Sequence, residues 1–200
     1  MDKKIKYYHG VSQSMPFTFS KIEKILNDGA ILSRSKQERN YLYNWYIGYN
    51  GNDYISVCEH RDNFDGNSYN NFIKNNISFE LDLSNLDICE TIMTNVPYNK
   101  LNYSNTIGLN RFSDMDDEVQ VKDEIQLSKV LAVTFPTNMI IESGIKDIKT
   151  ILKYLEKLKL LMSKYQYNFP IYDIDSKLNT ESKEYGLYLE KSIESYLQNN

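Results

Sequence analysis

Two hundred residues, 41% of them hydrophobic, supply enough apolar material for one sizeable core and fall short of needing two, so a single domain over residues 1–200 is expected. A net charge of -4 excludes a globally basic nucleic-acid binder while leaving a locally basic face open. No apolar run approaches the roughly 20 residues that span a bilayer, and "MDKKIKYYHG" is not followed by a signal-peptide core, so a cytosolic chain with no membrane partner is expected.

In chain order, "KIKYYHGVS" alternates as a short strand. "SKIEKILNDGAILSR" then places Ile22, Ile25 and Leu26 at helical spacing, with Ser20 as expected N-cap and Gly29 as expected C-cap before "AIL" turns extended. Residues 35–50, "SKQERNYLYNWYIGYN", suit an aromatic loop or a short helix. Tyr54, Ile55 and Val57 favour a strand in "NDYISVCEH". "ISFELDLSN" alternates Ile77, Phe79, Leu81 and Leu83 and reads as a half-buried strand. Residues 84–114, with Pro97 among them, carry few periodic signals and read as long connections.

Residues 116–136, "DDEVQVKDEIQLSKVLAVTFP", open on three acids and continue as two strands. The acids are either a charged turn or a carboxylate held at a strand end above a cleft. Ile145, Ile148, Ile151, Leu152, Leu155, Leu158 and Met162 then form the apolar stripe of a helix. Its other face carries Lys146, Lys149, Lys153, Lys157, Lys159 and Lys164 and reads as solvated rather than as a nucleic-acid contact. "NFPIYDID" is a closing strand, and "TESKEYGLYLEKSIESYL" a terminal helix begun or interrupted near Gly186. The order strand, helix, four strands, helix, strand and final helix is α+β, not a regular βαβ alternation.

Cys58 and Cys89 form neither a disulfide framework nor a CxxC pair and read as buried thiols, which also argues against a zinc site. There is no phosphate-binding glycine loop, no HExxH and no GxSxG. What remains is a collinear set: "YYHGVS" on the first strand, "ILNDGAIL" after the first helix, "NDYISVC" on a middle strand and "DEVQVKDEIQLSKVLAV" on the later pair.

In order and wording this set, spanning residues 5–136, resembles the ADP-ribosyltransferase superfamily. The nearest pattern is the diphtheria-toxin-like and poly-ADP-ribose-polymerase-like branch with a His, Tyr, Glu triad; DarT-type transferases share the later motifs. The family's first strand carries "HG", matched by His9 and Gly10. Its second motif is matched by Tyr54, or in a shifted register by Ser56. Its glutamate begins a strand, the position of Glu118. The opening strand has His9 where the arginine-Ser-Glu branch has arginine, although Arg34 follows the helix and Asp116 with Glu118 permits that branch's paired acids.

The resemblance implies an α+β fold with an ADP-ribosyltransferase-like split sheet, with residues 137–200 adding helix, strand and helix. It implies transfer of ADP-ribose from NAD, used as substrate without a metal. Catalytic roles fall to Glu118, His9 and Tyr54, and NAD contacts to His9, Gly10, Tyr54 and Ser56. Glu118 would stabilise positive charge developing on the ribose, His9 would hold a ribose hydroxyl, Gly10 would let the backbone approach the carboxamide, and Tyr54 would stack on nicotinamide. The aromatic stretch 41–49 would serve as a lid or acceptor surface. The acceptor stays open among protein, DNA, RNA and small molecule, as does the oligomeric state. Two alternatives stand beside this reading: a non-catalytic module of the same family binding a protein or nucleotide, and an interaction protein using the lysine-rich helix.

Overall fold

The computed structural model describes residues 5–11, 19–33, 36, 54–61, 72–83, 91–92 and 118–199. Its strands are β1 (Ile5–Val11), β2 (Ala30–Leu32), β3 (Tyr54–Arg61), β4 (Ile77–Leu81), β5 (Thr91–Ile92), β6 (Glu118–Lys122), β7 (Glu124–Gln126), β8 (Val130–Phe135) and β9 (Ile171–Asp173). The helices are α1 (Ser20–Asp28), α2 (Thr137–Glu142), α3 (Ile148–Lys164) and α4 (Lys183–Asn199). The fold is α+β. Seven strands form one sheet in the order β5-β6-β3-β1-β4-β8-β9, antiparallel except for the parallel pair β8 and β9, while β2 and β7 form a separate two-stranded sheet.

Alternation in the strands decides which face is apolar. Val11, Ile55, Val57, Ile77, Phe79, Leu81, Val121 and Val133 join one core with Ile22 and Leu26 of α1, Ile140 and Ile141 of α2, four buried residues of α3 and three of α4. A small second cluster of Tyr8, Cys58, Ile73 and Ile174 lies apart from it. The helices therefore share one core with the sheet, and the first strand contributes alternate residues to the two clusters.

Several sequence expectations change. Ser20 is the first helical residue of α1, and the N-cap is Phe19, whose carbonyl accepts the Glu23 N–H at 2.8 Å. Phe19 is 1% exposed and sits at φ 58°, so core packing rather than side-chain capping fixes this helix start. Gly29 closes α1 at φ 69° as expected. The Cβ-free residue takes the left-handed backbone without strain. Strand β4 is more than half-buried, because its position between β1 and β8 also covers Ser78, whose hydroxyl donates to the Ile73 and Asn76 carbonyls. Within the span read as connections, Thr91 and Ile92 pair with β6; the rest of residues 84–114 lies outside the described residues, as do 37–53, Arg34, Cys89, Asp116 and Asp117.

The two strands expected after the acids are three, the first of them ending just before Asp123, at φ 64°. There the chain leaves the large sheet, pairs with β2 through β7, passes a 3₁₀ turn at Leu127–Lys129 and rejoins the large sheet as β8. In α3, Asp147 caps the helix by accepting the Lys149 and Thr150 N–H groups, and Ile151, Leu155, Leu158 and Met162 are buried. Leu152, expected in that stripe, is 45% exposed. Of the six lysines expected on the solvated face, four engage the protein itself: Lys164 pairs with Glu23 at 2.7 Å, Lys159 with Glu181 at 2.9 Å, and Lys157 of α3 and Lys146 just ahead of it lie over the Phe19 and Tyr196 rings. Gly186 lies inside an uninterrupted α4. Among the described residues no helix is long and apolar enough to cross a membrane.

Helix α4 is tied to α2 by two tyrosines. The buried Tyr185 hydroxyl lies 2.9 Å from Thr137 Oγ1, and Tyr188 donates to Asn138 Oδ1 at 3.0 Å. Burial raises the pKa of both phenols, that of Tyr188 to about 12. Both therefore stay neutral through the physiological range. Tyr185→Phe leaves the Thr137 hydroxyl unpaired in the core and is expected to cost about 1–3 kcal/mol in urea denaturation. Adding Thr137→Val, which removes the orphaned hydroxyl, should recover part of that loss.

Candidate active site at the seam between β1 and β3

The large sheet is joined at its middle by a short seam. β1 pairs with β3 from Ile5 opposite Arg61 to Tyr8 opposite Cys58, and there the pairing ends. On either side the ladders run on: β1 stays with β4 as far as Val11 opposite Ile77, and β3 stays with β6 as far as Tyr54 opposite Lys122. Beyond Tyr8 the sheet thus opens between two half-sheets.

His9 sits at the first position past the seam. Its Nδ1 lies 2.9 Å from the Ser56 carbonyl oxygen, so the ring bridges the opening from β1 to β3. A carbonyl only accepts, so Nδ1 carries the proton. Burial lowers the His9 pKa below its ordinary 6.5, with the Ser56 carbonyl acting in the opposite sense. The ring is then neutral at pH 7, and Nε2 presents a lone pair. An imidazole fixed in this tautomer is a hydrogen-bond acceptor for a hydroxyl.

A cavity of about 340 Å³ opens at this point. Tyr8, His9 and Gly10 line it from β1, Ser56, Val57 and Cys58 from β3, and Phe72 with Ile73 from the turn ahead of β4. With Phe72 where it stands, residue 10 has no room for a side chain: a Cβ there would lie 2.5 Å and 2.7 Å from Cε1 and Cδ1 of the ring. Beneath Tyr8 runs a polar chain in which its hydroxyl donates to Glu80 Oε2 at 3.4 Å and Glu80 pairs with Lys6 at 2.9 Å.

Of the residues singled out in the sequence, His9, Gly10 and Ser56 meet at this cavity. Tyr54 is the first residue of β3, two positions before Ser56. Glu118 is the first residue of β6, and its backbone lies opposite Cys58, in the same cross-strand row as Tyr8. The three strands carrying the expected motifs are consecutive in the sheet, in the order β6-β3-β1. The acids preceding Glu118 and the aromatic stretch 41–49 lie outside the described residues.

Sequence reasoning missed Phe72 and Cys58 as lining residues. For Phe72 the available signal was an isolated "FI" pair among asparagines, in a stretch read only as turn-rich. Cys58 was read as a buried thiol and is 4% exposed. Among the described residues no group of three or more His, Cys, Asp or Glu side chains is arranged to hold a metal. No protein-family model matches the chain, and no match was found among curated proteins or solved structures.

Proposed function

We propose that the chain is an NAD-dependent ADP-ribosyltransferase with the split-sheet architecture of that superfamily, and that the seam cavity receives the nicotinamide-ribose half of NAD. The observation that carries this reading is His9, its Nδ1 2.9 Å from the Ser56 carbonyl at the point where β1 and β3 part, next to a glycine and two strands from the start of β6 at Glu118. The cavity volume falls at the low end of the roughly 300–1,000 Å³ of small-ligand pockets, which suits half of a dinucleotide better than the whole.

In this reading His9 Nε2 accepts a hydrogen bond from a ribose hydroxyl, and Gly10 permits close approach of the carboxamide to the backbone. Tyr54 supplies a stacking ring, with Ser56 the alternative second-motif residue. The C1′–N glycosidic bond breaks with its electron pair leaving on nicotinamide, while positive charge spreads over C1′ and the ring oxygen. The Glu118 carboxylate stabilises that charge. An acceptor nucleophile then bonds to C1′ and releases its proton. The acceptor is a macromolecule of unassigned class.

Thermal unfolding tests the binding half. NAD bound only by the folded state should raise the melting temperature, by the equivalent of about 2.7 kcal/mol at a hundred times Kd. The sign of the pH dependence follows from His9. Its folded-state pKa is depressed, so the stability gained by burying it neutral is complete above pH 6.5 and is lost as pH falls toward the folded value. The NAD-induced shift should persist at pH 6.5, shrink at more acidic pH as Nε2 gains a proton, and become small and flat with pH in His9→Ala. No shift at millimolar NAD in the wild type would remove the basis for the reading.

A further inference from the structure

We propose that Phe72 is a displaceable ring: in the free protein it covers the Gly10 floor of the seam cavity, and a planar heteroaromatic ring of the nicotinamide type takes the place of the phenyl group there. The choice of ring rests on the NAD reading above; the displacement rests on geometry. Phe72 is 40% exposed although it lines the cavity, whereas its neighbour Ile73 is 1% exposed and anchored in the cluster with Tyr8, Cys58 and Ile174.

The backbone beneath the ring is pinned. The Phe72 carbonyl accepts from the Asn75 N–H at 3.3 Å and from Nδ2 of the buried Asn76 at 2.8 Å. Displacement is therefore a side-chain rotation, which part-exposed residues make in picoseconds to nanoseconds, and no loop need move. The surface the ring covers is Gly10, the one cavity residue with no side chain of its own. Clearing it presents a flat patch of backbone beside the His9 acceptor, a floor of the shape that a planar ring requires.

A site open in only a fraction of molecules binds with an affinity reduced by that fraction. Removing the phenyl group should remove this penalty. In full-length protein labelled with 4-fluorophenylalanine, the Phe72 resonance is identified by its absence in Phe72→Leu and followed while nicotinamide is added. The expected result is that this resonance moves to a solvent-exposed position on saturation, and that Phe72→Ala binds nicotinamide about three- to tenfold more tightly than wild type. Weaker binding by Phe72→Ala would mean the ring is a stacking platform and would overturn the proposal. Unchanged affinity, an unmoved resonance, or no nicotinamide binding by either protein would overturn it as well. Tighter nicotinamide binding by Phe72→Ala without NAD cleavage by either protein would uphold the displaceable ring and reject the transferase reading. A thermal melt of Phe72→Ala verifies folding, and Phe72→Leu, which keeps apolar bulk, should give an intermediate affinity.

Discussion

Glu118→Gln is expected to slow NAD cleavage by on the order of a hundredfold or more while leaving NAD affinity within a few-fold, because a carboxylate acting on charge that develops during bond breaking contributes chiefly in the transition state. The isosteric amide keeps size and polarity and loses only the charge. Single-turnover release of nicotinamide separates this from a binding defect. Asp117→Asn is expected to have far less effect. Asp116→Asn is the informative companion. If it abolishes turnover while Glu118→Gln does not, the paired-acid branch describes the site better than the His, Tyr, Glu branch. If all three variants turn over normally, the acids are a charged turn ahead of β6, and the non-catalytic alternative gains the support that the enzyme reading loses.

The second large effect concerns the scaffold. Phe79→Ala should destabilise the fold by about 3–5 kcal/mol, the usual range for emptying a fully buried aromatic site. Phe79 is 0% exposed, lies on a central strand and pairs with His9 on one side and Val133 on the other. For a chain of this length the loss corresponds to a drop in melting temperature on the order of 10 °C. Phe79→Leu retains most of the apolar volume and should lose much less. Because Phe79 is the β4 partner of His9, the Leu variant should also show whether slackening this row changes the NAD-induced shift. A loss below about 1 kcal/mol for Phe79→Ala would mean that the sheet collapses around the void.

Elements whose apolar residues repeat at a clean period were legible in the sequence. Ile77, Phe79 and Leu81 marked β4, and the stripe from Ile151 to Met162 marked α3. Legibility failed where tertiary packing decided the outcome. Phe19 displaces Ser20 as the N-cap because its ring belongs to the core, and Leu152 faces solvent because a stripe drawn over seven residues was wider than the face that α3 buries. The short α2 carries too few residues to establish a period, although Pro136 just before it is a recognisable start signal. The departure of β7 to a second sheet turns on one backbone angle at Asp123, a residue type that tolerates φ above zero more readily than most.

The candidate site divides in the same way. His9, Gly10, Ser56 and the strand beginning at Glu118 were found as a collinear pattern. The reason His9 and Ser56 meet was not in that pattern: it is the end of the β1 and β3 pairing at Tyr8 and Cys58, a property of two strands separated by about fifty residues. Local wording carries no trace of where such a ladder stops.

At the β9 end of the large sheet, the turn over residues 174–180 folds back onto the strand. Asp173 N–H donates to the Leu178 carbonyl, the Ile171 carbonyl accepts both the N–H and the hydroxyl of Thr180, and Tyr172 bridges Asn179. An open sheet edge offers a row of vacant donors and acceptors to any extended chain that drifts past. Here the chain's own return fills that row, so this border is closed to strand addition from another molecule. The turn thereby acts as a guard against edge-to-edge polymerisation. Substitutions that loosen it, such as Thr180→Pro, threaten colloidal behaviour at high concentration more than the arrangement around His9, which lies three strands inward.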